Sequence, residues 1–114
     1  MSEEFVCTVT APEPGVSVAT LRGDIDLQSS PMLREELLEL LESGIKRLII
    51  DLAGVGYMDS SGVGTLVDLK RRVERVGGGV ALVAPQPRVR NVFEITRLDR
   101  FFKIVDTLDE ARRA

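Results

Sequence analysis

The chain has no histidine and no tryptophan, a single cysteine and a single tyrosine. Without histidine there is no Ser-His-Asp or Cys-His catalysis and no imidazole-held metal. Carboxylate-bound Mg²⁺ stays open. One cysteine, Cys7, cannot close an internal disulfide. It falls in the strand-like run Phe5–Thr10 and reads as a small core or edge residue, which suits a reducing, cytoplasmic setting. No apolar run approaches the ~20 residues that a spanning helix needs, so no membrane segment is expected. The opening Met1-Ser2-Glu3-Glu4 is acidic and lacks an apolar stretch, so no signal peptide is expected either. Positive charge is not in excess: 15 basic residues against 18 acidic ones leave a net charge of −3. A direct nucleic-acid binder would carry a basic face, and that class is disfavoured.

What is present is an ordinary globular composition. Apolar residues make up 44% of the 114 positions, enough for a core without cross-links and in keeping with one domain, 1–114. Phe5–Thr10 and Val16–Leu21 read as strands about a Pro12, Pro14, Gly15 turn. Arg22–Leu27 reads as a loop. Ser30-Pro31 predicts a helix start, with Ser30 as N-cap and Pro31 at the first helical position. Leu33, Leu37, Leu40 and Leu41 make its apolar stripe, and Glu35, Glu36, Glu39 and Glu42 its outer surface. Gly44 ends it. Ile45–Leu52 is a continuous apolar strand, the mark of a strand covered on both faces. A second helix follows the Tyr57–Gly64 stretch and breaks at Gly77-Gly78-Gly79. Val80–Ala84 is a buried strand, and Pro85-Gln86-Pro87 leads into a helix carrying Val89, Val92 and Phe93. Phe102–Val105 is a short last strand. Thr107 and Glu110 have capping-box spacing for a terminal helix. The order β-β-α-β-α-β-α-β-α implies an α/β fold with a mixed, mainly parallel sheet of four to five strands and about four helices.

The focal stretch is Tyr57-Met58-Asp59-Ser60-Ser61-Gly62-Val63-Gly64. It sets two hydroxyls where a strand hands over to a helix. Helix starts expose unpaired N–H groups and the positive end of the dipole, which Ser and Asp oxygens satisfy. That is one reading, a cap on a buried helix. The other is a phosphorylatable serine, since a helix start tolerates a phosphate well. Two early glycines, Gly62 and Gly64, imply that something comes close: a partner's backbone, a phosphate or a neighbouring strand. Val63 and Leu66 read as core residues or as an apolar contact for a partner or a second copy. Asp24 and Asp26 form a second polar stretch. A solvated pair is the plain reading, and a spaced pair without further ligands is weak ground for a metal. Both stretches follow strands, so both belong at the carboxyl end of the sheet, where open α/β folds bind ligands and partners.

Gly23-Asp24-Ile25-Asp26, Leu48-Ile49-Ile50-Asp51-Leu52, Met58-Asp59-Ser60-Ser61-Gly62-Val63-Gly64 and Leu98-Asp99-Arg100-Phe101-Phe102 together resemble the STAS domain. More narrowly, they resemble the free-standing bacterial anti-sigma factor antagonists. The resemblance spans nearly the whole chain, and Val63 stands where Leu is common. It implies a non-enzymatic, cytoplasmic regulator of transcription without cofactor or metal. In that family the unphosphorylated antagonist binds a serine-kinase anti-sigma factor and releases the sigma factor. Phosphorylation then ends the complex, and a serine phosphatase resets it. The acceptor falls on Ser60. Asp24, Asp26, Asp59, Ser60, Ser61, Gly62 and Val63 fall on the partner-facing stretches. Loss of Asp26 is expected to weaken docking with little loss of stability. The resemblance implies a monomer or weak homodimer.

Rival classes fit less well. A hydrolase needs a base and a Gly-x-Ser-x-Gly elbow, and Met58 and Asp59 occupy the first-glycine positions. Neither Gly54-Val55-Gly56 nor Gly62-Val63-Gly64 continues into a nucleotide-binding fingerprint, which leaves only weak nucleotide binding open. A third alternative keeps the fold as a scaffold subunit of a stress-signalling complex or a transporter accessory protein.

Overall fold

A computed structural model describes residues 4–113; positions 1–3 of the acidic N-terminal stretch lie outside it. The elements are β1 (Val6–Glu13), β2 (Val16–Ile25), α1 (Ser30–Glu42), β3 (Arg47–Met58), α2 (Ser60–Arg75), β4 (Gly79–Val83), α3 (Pro87–Ile95), β5 (Lys103–Val105) and α4 (Leu108–Arg113). The strands lie in the order β1-β2-β3-β4-β5. The β1–β2 pair is antiparallel and the other three are parallel. The expected element order and mixed sheet are both present.

Side-chain alternation on β3 explains the layers. Leu48, Ile50 and Leu52 face a core built with Leu33 and Leu37 of α1, Leu66, Leu69 and Val73 of α2, and Val89 and Phe93 of α3. Ile49 turns to the opposite face, where Val16, Val18, Ala81 and Val83 pack with Ala111 of α4. Period-two alternation thus delivers one strand to two cores. Arg47 fixes the thin second layer, because its guanidinium donates to the carbonyls of Ala111 and Arg112 at the end of α4. The Thr107–Glu110 capping box forms as expected: the Glu110 N–H donates to Thr107 Oγ1 at 3.1 Å.

Two strands run further than their sequence signals. β2 continues through Arg22–Ile25, where a loop was expected, and β3 continues six residues past Leu52 through Gly54 and Gly56. The two extensions pair with each other: Arg22 with Gly54, Gly23 with Val55, Asp24 with Tyr57, Ile25 with Met58. Register shifts on both sides of Gly23, at φ +95°, absorb the irregularity. Parallel pairing has therefore overridden residues that usually mark turns. α1 also differs. Ser29 is the N-cap, so the helix begins one residue earlier than expected and Pro31 is its second residue. The Ser29 hydroxyl donates back to Asp24 O at 2.8 Å and makes no side-chain cap on α1.

α2 meets the sheet through Gly62. A Cβ there would lie 2.6 Å from Ile25 Cγ2 and 2.9 Å from Met58 Cγ. The neighbouring strand ends are thus what comes close at this glycine. Gly62→Ala is expected to lower unfolding free energy by roughly 1–3 kcal/mol through overpacking of α2 against β2 and β3. Urea denaturation would show it as a lower midpoint with an unchanged slope.

Candidate functional site

The site grows from the paired ends of β2 and β3. Ile25 lies opposite Met58, and the Asp59 N–H donates to Ile25 O at 3.1 Å. This bond sets the chain in an extended conformation at Asp59, the N-cap of α2. Its carboxylate then turns onto the helix start. Asp59 Oδ1 accepts from Ser61 N at 2.9 Å, from Ser61 Oγ at 2.5 Å and from Gly62 N at 3.4 Å. The Ser61 hydroxyl, helped by the backbone N–H groups of Gly62 and Ser61, holds the Asp59 carboxyl below its ordinary pKa. A carboxylate so stabilised is a poor proton acceptor.

The two adjacent serines therefore have different fates. Ser61 is half-buried and its hydroxyl is committed to Asp59. Ser60 is the first residue of α2, is exposed, and makes no side-chain hydrogen bond among the described residues. Behind them, buried Thr65 donates to Ser61 O at 2.9 Å and closes the first turn. What the arrangement offers outward is one unengaged hydroxyl on a rigid helix start.

Asp24 and Asp26 lie at the same end of the sheet, and their roles are opposite. Asp26 Oδ1 accepts from Gln28 N (3.0 Å) and Ser29 N (3.1 Å), and the Asp26 N–H donates to Ser29 Oγ at 2.9 Å. That is an Asx turn holding the β2–α1 connection. Asp24, half-buried in the last turns of β2, has a carboxylate that accepts no hydrogen bond among the described residues. Both help to line a shallow hollow of about 230 Å³ together with Glu4, Phe5, Gln28, Ser29 and Met32. None of Asp24, Asp26 and Asp59 takes part in an ion pair among the described residues. Nor do the described residues hold a cluster of three or more groups that could bind a metal ion.

Of the two readings open for Val63 and Leu66, the core one holds for their side chains: Val63 is only 6% exposed and Leu66 is fully enclosed. Gly62 is buried against the strand ends. Ser29 is the organising residue that sequence reasoning passed over. Its Asp-x-x-Ser spacing from Asp26 is the signal that would have found it. Cys7 is half-buried on β1, and burial, with the Glu36 charge beside it, pushes its thiol up to about 11, so it is no reactive thiolate.

The sequence profile of the STAS domain matches residues 9–111. The chain belongs to the STAS domain family. A Thermotoga neapolitana homologue of an anti-sigma factor antagonist is 42% identical over 73 residues, 64% of this chain and 65% of that one. The anti-sigma-B factor antagonist of Bacillus subtilis is 41% identical over 78 residues, 68% of this chain and 71% of its own. The match thus spans about two thirds of these relatives' length. Among solved structures, an anti-sigma factor antagonist from Mycobacterium paratuberculosis superposes with a TM-score of 0.88 at 28% identity, covering 96% of this chain and 92% of that one. The antagonist SpoIIAA aligns in its unphosphorylated form (TM-score 0.82, 26% identity, 93% and 92% covered). It also aligns in its phosphorylated Bacillus form (0.75, 25%, 95% and 97% covered).

In this STAS domain Asp26 and Asp59 are structural before they are anything else. Asp59→Ala is expected to cost about 1–2 kcal/mol as a lost N-cap. Asp26→Ala is expected to cost about 1 kcal/mol as a lost turn, more than sequence reasoning allowed. The acid limb gives a sign check. A folded pKa below the ordinary 3.8 means that the Asp59 stabilisation is complete above that value and is lost as pH falls through the lowered one. Urea midpoints measured from about pH 5 down to about pH 3 should therefore fall less steeply in Asp59→Asn than in wild type.

Proposed function

We propose that this STAS domain is an anti-sigma factor antagonist. Unphosphorylated, it binds a serine-kinase anti-sigma factor and so releases the sigma factor; phosphorylation of Ser60 by that kinase switches it off, and a serine phosphatase restores it. The observation that carries the reading is the unequal pair of hydroxyls: Ser61 is held by Asp59, while Ser60 stands exposed and unengaged. The names of the relatives and the solution of SpoIIAA in both phosphorylation states support it.

The chemistry is that of a substrate. The carboxylate next in sequence, Asp59, has its pKa lowered by hydrogen bonds that already occupy its Oδ1, which makes it a weak base for the Ser60 hydroxyl. The base and the phosphoryl donor therefore come from the partner. Asp24 offers that partner a carboxylate that accepts no hydrogen bond among the described residues. A phosphate on Ser60 adds about −1.5 to −2 charges at the centre of that contact. The helix dipole tolerates it within the domain, but the partner would have to desolvate a dianion to stay bound.

Incubation with ATP and each serine-kinase anti-sigma factor encoded in the same genome should add one phosphate, placed on Ser60 by mass spectrometry. Ser60→Ala should bind and accept none. Ser60→Glu should melt within about 1–2 °C of wild type and bind weakly. A phosphate on Ser61, or a tight complex that never transfers one, would sink this reading.

A further inference from the structure

Gly64 lies in the second turn of α2, is exposed, and a Cβ placed on it meets, beyond its own helix backbone, no atom of the described residues within 4 Å. Its φ is not positive, unlike those of Gly15, Gly23, Gly44 and Gly77. It is not crowded either, unlike Gly62. Neither conformational freedom nor packing inside this chain accounts for it, yet glycine in a helix interior is weaker than alanine. Four residues separate it from Ser60, which puts the two on one face, a turn apart. The gap therefore opens onto the surface that carries the unengaged hydroxyl.

We propose that Gly64 is a close-approach point for the kinase anti-sigma factor. The missing side chain lets the partner's surface lie against the α2 backbone and brings its phosphoryl donor within reach of Ser60 Oγ. The inference rests on Ser60 being the acceptor. A methyl group here would hold the partner off by an ångström or more, and a misplacement of that size at a reacting centre can cost about 100-fold in rate. Gly64 touches no reacting atom and acts as a positioning residue.

The test pairs stability with recognition in the intact chain. Gly64→Ala should raise Tm by roughly 4 °C, as filling open space in a helix does. With the serine-kinase anti-sigma factor that modifies wild type, it should weaken the complex about 10-fold and slow phosphorylation of Ser60 by up to about 100-fold. Gly64→Gln, bulkier and still helix-favouring, should be worse in both. Stabilised variants that bind and are phosphorylated like wild type would overturn the proposal. So would a Gly64→Ala variant that melts lower, because the space would then not be open. If wild type binds but is not phosphorylated, the Ser60 reading fails and the affinity of the two variants alone decides. If wild type neither binds nor is modified by any such kinase, both readings fall.

Discussion

The Asp59 carboxylate is the point on which the site depends. One oxygen gathers the Ser61 hydroxyl and the Ser61 and Gly62 N–H groups. The Asp59 backbone meanwhile hangs from Ile25 O at the end of β2. The helix start is thereby satisfied from within, and the two serines are sorted into one held and one open. Remove the carboxylate and Ser61 regains a free hydroxyl, the first turn loses its acceptor and the distinction between the serines fades. A shared cap thus sets both the geometry of α2 and which of the two hydroxyls stays open.

The rest of the structure keeps that helix start where it is. The Ile25–Met58 pairing brings two strand ends together, and Gly62 lets α2 settle against both. Further along, Asp68 of α2 binds Arg34 of α1 at 2.7 Å and Arg72 at 3.0 Å. These charges are well exposed, so the clamp adds orientation more than free energy. The larger hold is the apolar face of α2, where Leu66 and Val73 are completely enclosed. A switch built here works on a rigid platform, and its signal need not travel through the fold.

Much of this was legible in the residues. Asp59-Ser60-Ser61-Gly62 lies between an apolar strand and a helical repeat, and the element order follows from periodicity and glycine or proline breaks. Thr107 and Glu110 announced their capping box. What escaped was decided by tertiary pairing. Arg22–Ile25 and Ala53–Met58 carry residues that usually mark loops, and only the ladder between them makes both strands. The duty of Asp26 was hard to read because its donors are backbone N–H groups, and only the Asp-x-x-Ser spacing to Ser29 marked it. Val63 stayed open between core and contact for a related reason: helical spacing gives a face, and the position of the sheet decides whether that face is inside. Gly62 and Gly64 look alike in a string, yet one is crowded and the other open.

For the phosphorylation of Ser60 proposed above, the energetics favour a local effect over a conformational one. Reducing affinity 100-fold takes about 2.7 kcal/mol. Unfolding the helix start would forfeit its cap and would disturb the buried residues behind it, a larger and less reversible change. A dianion on an exposed hydroxyl needs none of that. It meets a helix dipole that accepts it on one side and, on the other, a surface bearing Asp24, Asp26 and Asp59, none of them ion-paired among the described residues. Its cost falls on whatever docks there, as desolvation and steric exclusion at the centre of the contact. A site already satisfied within the fold is thus one whose modification can be added and removed repeatedly without endangering the domain.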